Sequence, residues 1–267
     1  MRTRNLNRLL TFFAAALAVT AGFHRASAQE AQDNAQGSLF YQAGISYQQG
    51  KYDRAASDYE KLINSGLESG NVYYNLGNSY FKKGDLGLAV LSYERARRFI
   101  PNDGDLRSNY KFALHTLNLE PQLFGNRLQK LIYKLFEAMT VDFLTVFMSV
   151  IYTALILFFI LNLFFGGLKR VFSIAVFMLA ALFVLSAAAL NGKINYLDKS
   201  AIVINKDAEV KFEPLESATT YFKLTEGSRV EVIEKVENWY KLKRFDGKTG
   251  WAHKDTLALI AADSPQG

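Results

Sequence analysis

The sequence predicts a multidomain chain: an α-helical repeat stack, then a two-helix transmembrane hairpin, then a small all-β barrel. Residues 38–118 place apolar side chains three and four apart and match themselves at a near-constant offset. Residues 143–165 and 171–190 are two runs without a charged side chain, and after Lys199 the texture changes to short β-branched and aromatic runs. With 267 residues, half of them hydrophobic, the chain has material for folded domains and is neither disordered nor collagen-like. It contains no cysteine, which excludes a disulfide framework, a thiolate zinc site and a cysteine nucleophile.

The formal charge of +6 invites a nucleic-acid reading, but the charge is unevenly placed. Arg2, Arg4, Arg8 and Arg25 lie in the first 28 residues, which hold no acid; without those four the charge is +2. No nucleic-acid partner is expected. Residues 1–28 have the three parts of a secretory signal peptide. A basic stretch is followed by an apolar run over 9–23, then by Ala26-Ser27-Ala28 before Gln29, small enough for a signal peptidase. The chain from Gln29 onward would begin outside the cytoplasm, away from nucleotide cofactors. The polar stretch 29–37 reads as a flexible lead-in.

Within 38–118, Phe40, Ala43, Gly44 and Tyr47 match Tyr73, Leu76, Gly77 and Tyr80 at an offset of 33; Gly50, Ala55 and Tyr59 match Gly84, Ala89 and Tyr93 at 34. The slip falls in the first inter-helix turn, where a deletion is tolerated. This pattern resembles the tetratricopeptide repeat, and the second copy is nearly complete, with Ala96 and Pro101 also in place. Gly77 and Ala89 are small where the two helices should touch, Tyr80 and Tyr93 fill the space around that contact, and Pro101 stops the second helix. Two repeats are fewer than such a stack usually needs, so the stripe Leu106, Tyr110, Ala113 and Leu117 is expected to close it as a capping helix. By the repeat pattern Tyr41, Tyr74, Asn78 and Phe81 point to a concave, partner-binding groove; the alternative, above all for Tyr41 and Phe81, is that the aromatics pack between repeats. Tyr74 and Asn78 are expected to matter for binding and little for folding.

The two uncharged runs reach roughly 34 and 30 Å as helices, enough to cross a hydrocarbon core of about 30 Å. The Leu, Ile, Val and Phe residues of the first favour insertion by roughly 5 to 10 kcal/mol. Only residues 166–170 separate the runs, so 143–190 forms a hairpin with both flanks on one side. Lys169 and Arg170 occupy the loop, whereas Arg127, Lys130, Lys134, Lys193 and Lys199 lie on the flanks. A count of positive charges alone would put the flanks in the cytoplasm. The leader argues the reverse and decides the expectation: an inner-membrane protein with both soluble modules in the periplasm. Before the first span, residues 126–140 set Leu128, Leu131, Ile132 and Leu135 against Arg127, Lys130, Lys134 and Glu137. That is an amphipathic juxtamembrane helix, lying on the bilayer surface or packed under the repeats.

Strands are expected over 201–205, 208–212, 221–224, 229–234, 239–244 and 249–253, with a break of alternation at Ile233 and a hairpin turn at Asp246-Gly247. Strands this short within 199–261 suggest a closed barrel. The residues Tyr221-Phe222-Lys223-Leu224, Glu226-Gly227, Trp239-Tyr240-Lys241-Leu242 and Gly250-Trp251 resemble the bacterial SH3 family. The resemblance implies a module that binds cell-wall peptides, other proteins or no known ligand. Trp239, Tyr240 and Trp251 are the aromatic candidates for its partner-binding face, and the alternative is that both tryptophans are barrel core.

Catalytic patterns fail on inspection. Gly247-Lys248-Thr249 ends like a phosphate-binding loop, but Leu242 stands where that motif needs its first glycine. There is no G-x-S-x-G and no H-E-x-x-H, and His115 and His253 have no spaced partner. No enzyme activity, cofactor or metal is expected. The order of signal peptide, repeats, hairpin and SH3-like module resembles the BatE-type proteins of the aerotolerance operon. That resemblance implies partners among von Willebrand A-domain membrane proteins and a MoxR-type ATPase system, in an envelope-stress role. Two functions are expected to compete: a membrane-anchored scaffold recruiting proteins, and a cell-wall sensor binding peptidoglycan.

Overall fold

Side-chain caps at Ser69, Asp103 and Thr140 start three of the helices, whereas the residues before Tyr52 and Leu86 make no capping hydrogen bond. The computed structural model describes residues 32–120 and 138–261 and divides into two compact units, Met1–Glu68 and Ser69–Gly267. The expected signal peptide over 1–28 lies wholly outside the described residues, and the amphipathic helix over 126–140 almost wholly so.

The first unit contains α1, residues 32–48, and α2, Tyr52–Asn64. Ala43, Ala55, Tyr59 and Leu62 are buried between them, and the Phe40 and Tyr59 rings meet edge to face at 5.7 Å.

In the second unit α3 (Gly70–Lys83) and α4 (Leu86–Phe99) form the better repeat, and α5 (Gly104–Thr116) caps it. Ser69 accepts a hydrogen bond from Val72 N at 3.3 Å to start α3, and Asp103 accepts one from Leu106 N at 2.7 Å to start α5. The small residue at the crossing has a visible cause. A Cβ on Gly77 would lie 2.6 Å from Cδ1 and Cε1 of Tyr93. Tyr73, Tyr93, Ala89 and Ala96 are wholly or almost wholly buried at that crossing, and α4 stops two residues before Pro101. Leu106, Tyr110 and Ala113 are buried beneath the cap; Leu117 is half-buried.

Helices α6 (Val141–Phe164) and α7 (Lys169–Lys199) make an antiparallel hairpin joined by a 3-10 turn at Gly166–Leu168. Thr140 caps α6 through Phe143 N at 3.0 Å. The rings of Tyr152 and Phe183, and of Phe158 and Phe172, meet about 6 Å apart. Only 11% and 6% of the apolar windows of the two helices are buried, so their apolar side chains face outward, unlike those of a soluble core helix. Both helices are long and apolar enough to cross a membrane. Helix α7 runs nine residues past the expected span and passes into the sheet without a linker.

The sheet contains β1 (Ser200–Val203), β2 (Ala208–Lys211), β3 (Thr220–Leu224), β4 (Arg229–Val236), β5 (Trp239–Lys243), β6 (Thr249–His253) and β7 (Leu257–Leu259). Every pairing is antiparallel, and β7 is a strand the sequence pattern did not reveal. Ile233 marks a register shift between Val232 and Glu234, beyond which β4 continues to Val236. At the β5–β6 turn the Asp246 carboxylate accepts from the Arg244 guanidinium and from Lys248 N.

The expected closed barrel is corrected. The strand order is β3-β2-β6-β5-β4-β1-β7, and no pairing joins β3 to β7, so the sheet is open. Its β7 edge is occupied by other partners: the carbonyl of Leu259 accepts from Arg95 Nη2 at 3.0 Å, and that of Ile260 from Arg98 Nη1 at 3.2 Å. An edge covered in this way does not need another strand to satisfy it.

Candidate functional site

The groove residues fall into different units. Tyr41 belongs to the first and is 70% exposed; Tyr74, Asn78 and Phe81 belong to the second and are half-buried on α3. The structure brings these last three together with α4 and α5. Asn78 Oδ1 accepts from Tyr93 Oη at 2.8 Å and from Asn109 Nδ2 at 2.9 Å, while Tyr74 Oη accepts from the same Asn109 amide at 2.9 Å. Phe81 meets Phe112 of α5 at 5.4 Å, and Phe112 is 60% exposed. The polar ends of Tyr74 and Asn78 therefore pin the cap to the repeat. A small role in folding does not fit this geometry.

In the sheet the three aromatic candidates separate by strand alternation. Successive residues of a strand point to opposite faces, and residues directly opposite across a pair share a face. Trp239 lies opposite His253, and Lys241 opposite Trp251, which in turn lies opposite Lys211. Those five therefore share one face. Tyr240 points the other way, with Leu242, into the core of Val203, Val210, Val230, Val232 and Ala252. Tyr240 is half-buried there, packed against the core, with Lys235 Nζ 5.1 Å from its ring.

The tryptophans are well buried, at 8% and 9% exposure, yet neither belongs to that core. Cations cover them instead. Lys211 Nζ lies 5.5 Å from the Trp239 ring and Lys241 Nζ 5.4 Å from the Trp251 ring. Lys211 itself is held by the Glu216 carboxylate at 3.3 Å and by the Glu216 carbonyl. Trp239 meets His253 edge to face at 5.6 Å and forms part of a cleft of about 270 Å³. Asp207, Glu209, Lys206 and Lys211 place both signs of charge on its walls. Such a cleft offers an aromatic surface to an apolar group and ion-pairing positions to a ligand that carries both amine and carboxylate groups. Sequence reasoning missed His253 and Lys211; the signal was available in the two-residue spacing Trp239–Lys241 against Tyr240–Leu242. Among the described residues no cluster of three or more histidine, aspartate or glutamate side chains is placed to hold a metal ion.

Comparison with protein families agrees with both modules. The model of the tetratricopeptide repeat matches residues 70–103, and that of the bacterial SH3 domain matches residues 206–258. No curated protein matches the chain. Domains of these two kinds suggest interaction with other proteins, and the two apolar helices suggest membrane anchoring in a bacterial envelope.

Proposed function

We propose that this chain is a non-enzymatic scaffold of the bacterial inner membrane, recruiting protein partners through its repeats and its SH3-like domain. The observation that carries the reading is the arrangement itself: two modules of interaction families, one on each side in sequence of two outward-facing apolar helices. Both soluble modules lie in the periplasm and only residues 166–170 face the cytoplasm. The basic leader supports that orientation. Direct contact between α4 and the sheet supports placing the repeat and the sheet on one side of the bilayer. The BatE-type resemblance points to von Willebrand A-domain membrane proteins and a MoxR-type ATPase system as partners, in an aerotolerance or envelope-stress complex.

The chain has no cysteine, so single cysteines at the exposed Ser65 and Ser217 report sidedness cleanly. Both should react with a membrane-impermeant thiol reagent in intact spheroplasts, and protection of both contradicts the reading. Crosslinking in native membranes should then capture a von Willebrand A-domain protein.

A second reading, a cell-wall sensor, is favoured by the Trp239 cleft, whose mixed charge suits a peptidoglycan stem peptide. The detergent-solubilised full chain should then sediment with purified peptidoglycan, and Trp239→Ala should release it. If the unaltered chain stays in the supernatant, the sensor reading fails and the scaffold reading stands alone.

A further inference from the structure

A tetratricopeptide stack hides its apolar faces against neighbouring repeats, so the outer face of a last repeat needs a cover. On α4 the inner face is Ala89, Tyr93 and Ala96, and α5 covers part of the remainder. The other face carries Gly87, Val90, Glu94, Arg95 and Arg98, a stripe at helical spacing. In the second unit that stripe lies on the SH3-like domain.

The contact is close and polar. Gly87 N donates to Glu226 Oε2 at 3.1 Å in a buried position, and a Cβ on Gly87 would lie 2.9 Å from the Ile204 carbonyl oxygen and 3.0 Å from that of Val203. Only glycine lets the two backbones come this near. Arg95 and Arg98 donate to the carbonyls of the β7 edge. At the centre is Glu94, 4% exposed, within 3.5 Å of Arg229 Nη1 from β4 and 3.4 Å of Arg97 Nη1, and accepting from Tyr110 Oη of α5 at 2.5 Å. The Arg229 guanidinium in turn lies 4.8 Å from the Tyr196 ring, on the stretch of α7 beyond the expected span. A buried carboxylate is tolerated only with its charge partners in place. Burial would raise the pKa of Glu94, but the charges of Arg229 and Arg97 and the Tyr110 hydrogen bond outweigh it and hold the carboxyl below its ordinary value. The ion pair is therefore intact at neutral pH.

We propose that the SH3-like domain binds its own chain, covering α4 as a third repeat would, and that the Glu94–Arg229 contact locks the second repeat, its cap, the sheet and the emerging end of α7 into one body. The α4 face and the β7 edge are then closed to outside partners, which are left with the α3–α5 face and the Trp239 cleft. A load on either face reaches the membrane hairpin without a flexible joint, because α7 enters β1 directly.

The test uses the full-length chain in nanodiscs with spin labels at Arg107→Cys on α5 and Lys243→Cys on β5, both exposed positions. A second pair, Lys223→Cys with Lys243→Cys, lies within the sheet and reports its folding. The parent should give one narrow distance for each pair. Arg229→Met strands the Glu94 charge, and Gly87→Val inserts a side chain where there is no room. Each should broaden and lengthen the α5–β5 distance while the sheet pair stays narrow. A broad α5–β5 distribution in the parent, or one that stays narrow in both variants, would overturn the proposal.

Discussion

The repeat and the sheet both bury large aromatic residues, and they do so for different reasons. Tyr73 and Tyr93 are closed in by α3, α4 and their neighbours, and Tyr93 packs against the bare backbone of Gly77. Trp239 and Trp251 are almost as hidden, but lysine side chains lie over them and the sheet core lies on the opposite face. A helix crossing cannot open without unfolding the repeat. The half-exposed Lys241 over Trp251 can swing away at small cost, because an exposed cation–π contact contributes only about 0.5 to 1 kcal/mol, whereas the buried Lys211 over Trp239 must also leave Glu216. Similar burial therefore arises from helix crossing in one module and from lysine cover in the other.

The contrast predicts a graded set of effects. The largest is Tyr93→Ala, which removes a buried ring and strips Asn78 of a hydrogen-bond donor. By analogy with other aromatic truncations it should cost about 3 to 5 kcal/mol, read as a fall in the repeat's thermal melt by circular dichroism of the full chain. An unchanged melt would remove the crossing from the core. Next is Gly77→Leu, for which Tyr93 leaves no space; overpacking of this kind costs roughly 1 to 3 kcal/mol. Asn78→Ala should fall in a similar range of about 1 to 3 kcal/mol, since Tyr93 loses its acceptor and Asn109 keeps only the Tyr74 hydroxyl in a half-buried site. A melt indistinguishable from the parent would return Asn78 to the groove as a binding residue alone.

Smaller still is the acid response of the repeat–sheet contact. The Glu94 carboxyl is held below its ordinary value, so its contribution is present at pH values above the unfolded pKa and is lost as pH falls through the lower, folded one. Arg229, Arg97, Tyr110 and Lys193 are the charged or titratable groups that act on it. The melt should be flat from neutrality down to the ordinary carboxylate range and fall only below it. Glu94→Gln should remove this part of the acid-side slope. A slope that persists unchanged in that variant would assign the acid sensitivity to other carboxylates.

The second repeat was the most legible part of the chain, because its signature residues act locally: Gly77, Ala89, Tyr93 and Pro101 each constrain a neighbour within one helical hairpin. The two apolar runs were legible for the same reason, since charge-free length is a local property. What escaped the sequence is long-range. Glu94 sits among Tyr93, Arg95, Arg97 and Arg98 and looks like part of a solvated face until Arg229, 135 residues away, is brought against it. The cover over the β7 edge comes from Arg95 and Arg98 of α4, far away in the chain, and β7 itself is too short to announce its period. The division of Trp239 from Tyr240 required only alternation, but their adjacency in one aromatic pair hid it.

The central contrast is tested most directly by comparing Trp239→Ala with Tyr93→Ala in the full-length chain, each assayed for thermal stability and for crosslinked capture of membrane partners or of peptidoglycan. Trp239→Ala should lower stability by only about 1 to 2 kcal/mol, within the ordinary range for point mutants, and should abolish capture through the sheet. Tyr93→Ala should lower stability far more. If Trp239→Ala instead unfolds the sheet as severely as Tyr93→Ala unfolds the repeat, or leaves capture of both ligands intact, Trp239 is core after all and the two modules bury their aromatic residues for the same reason.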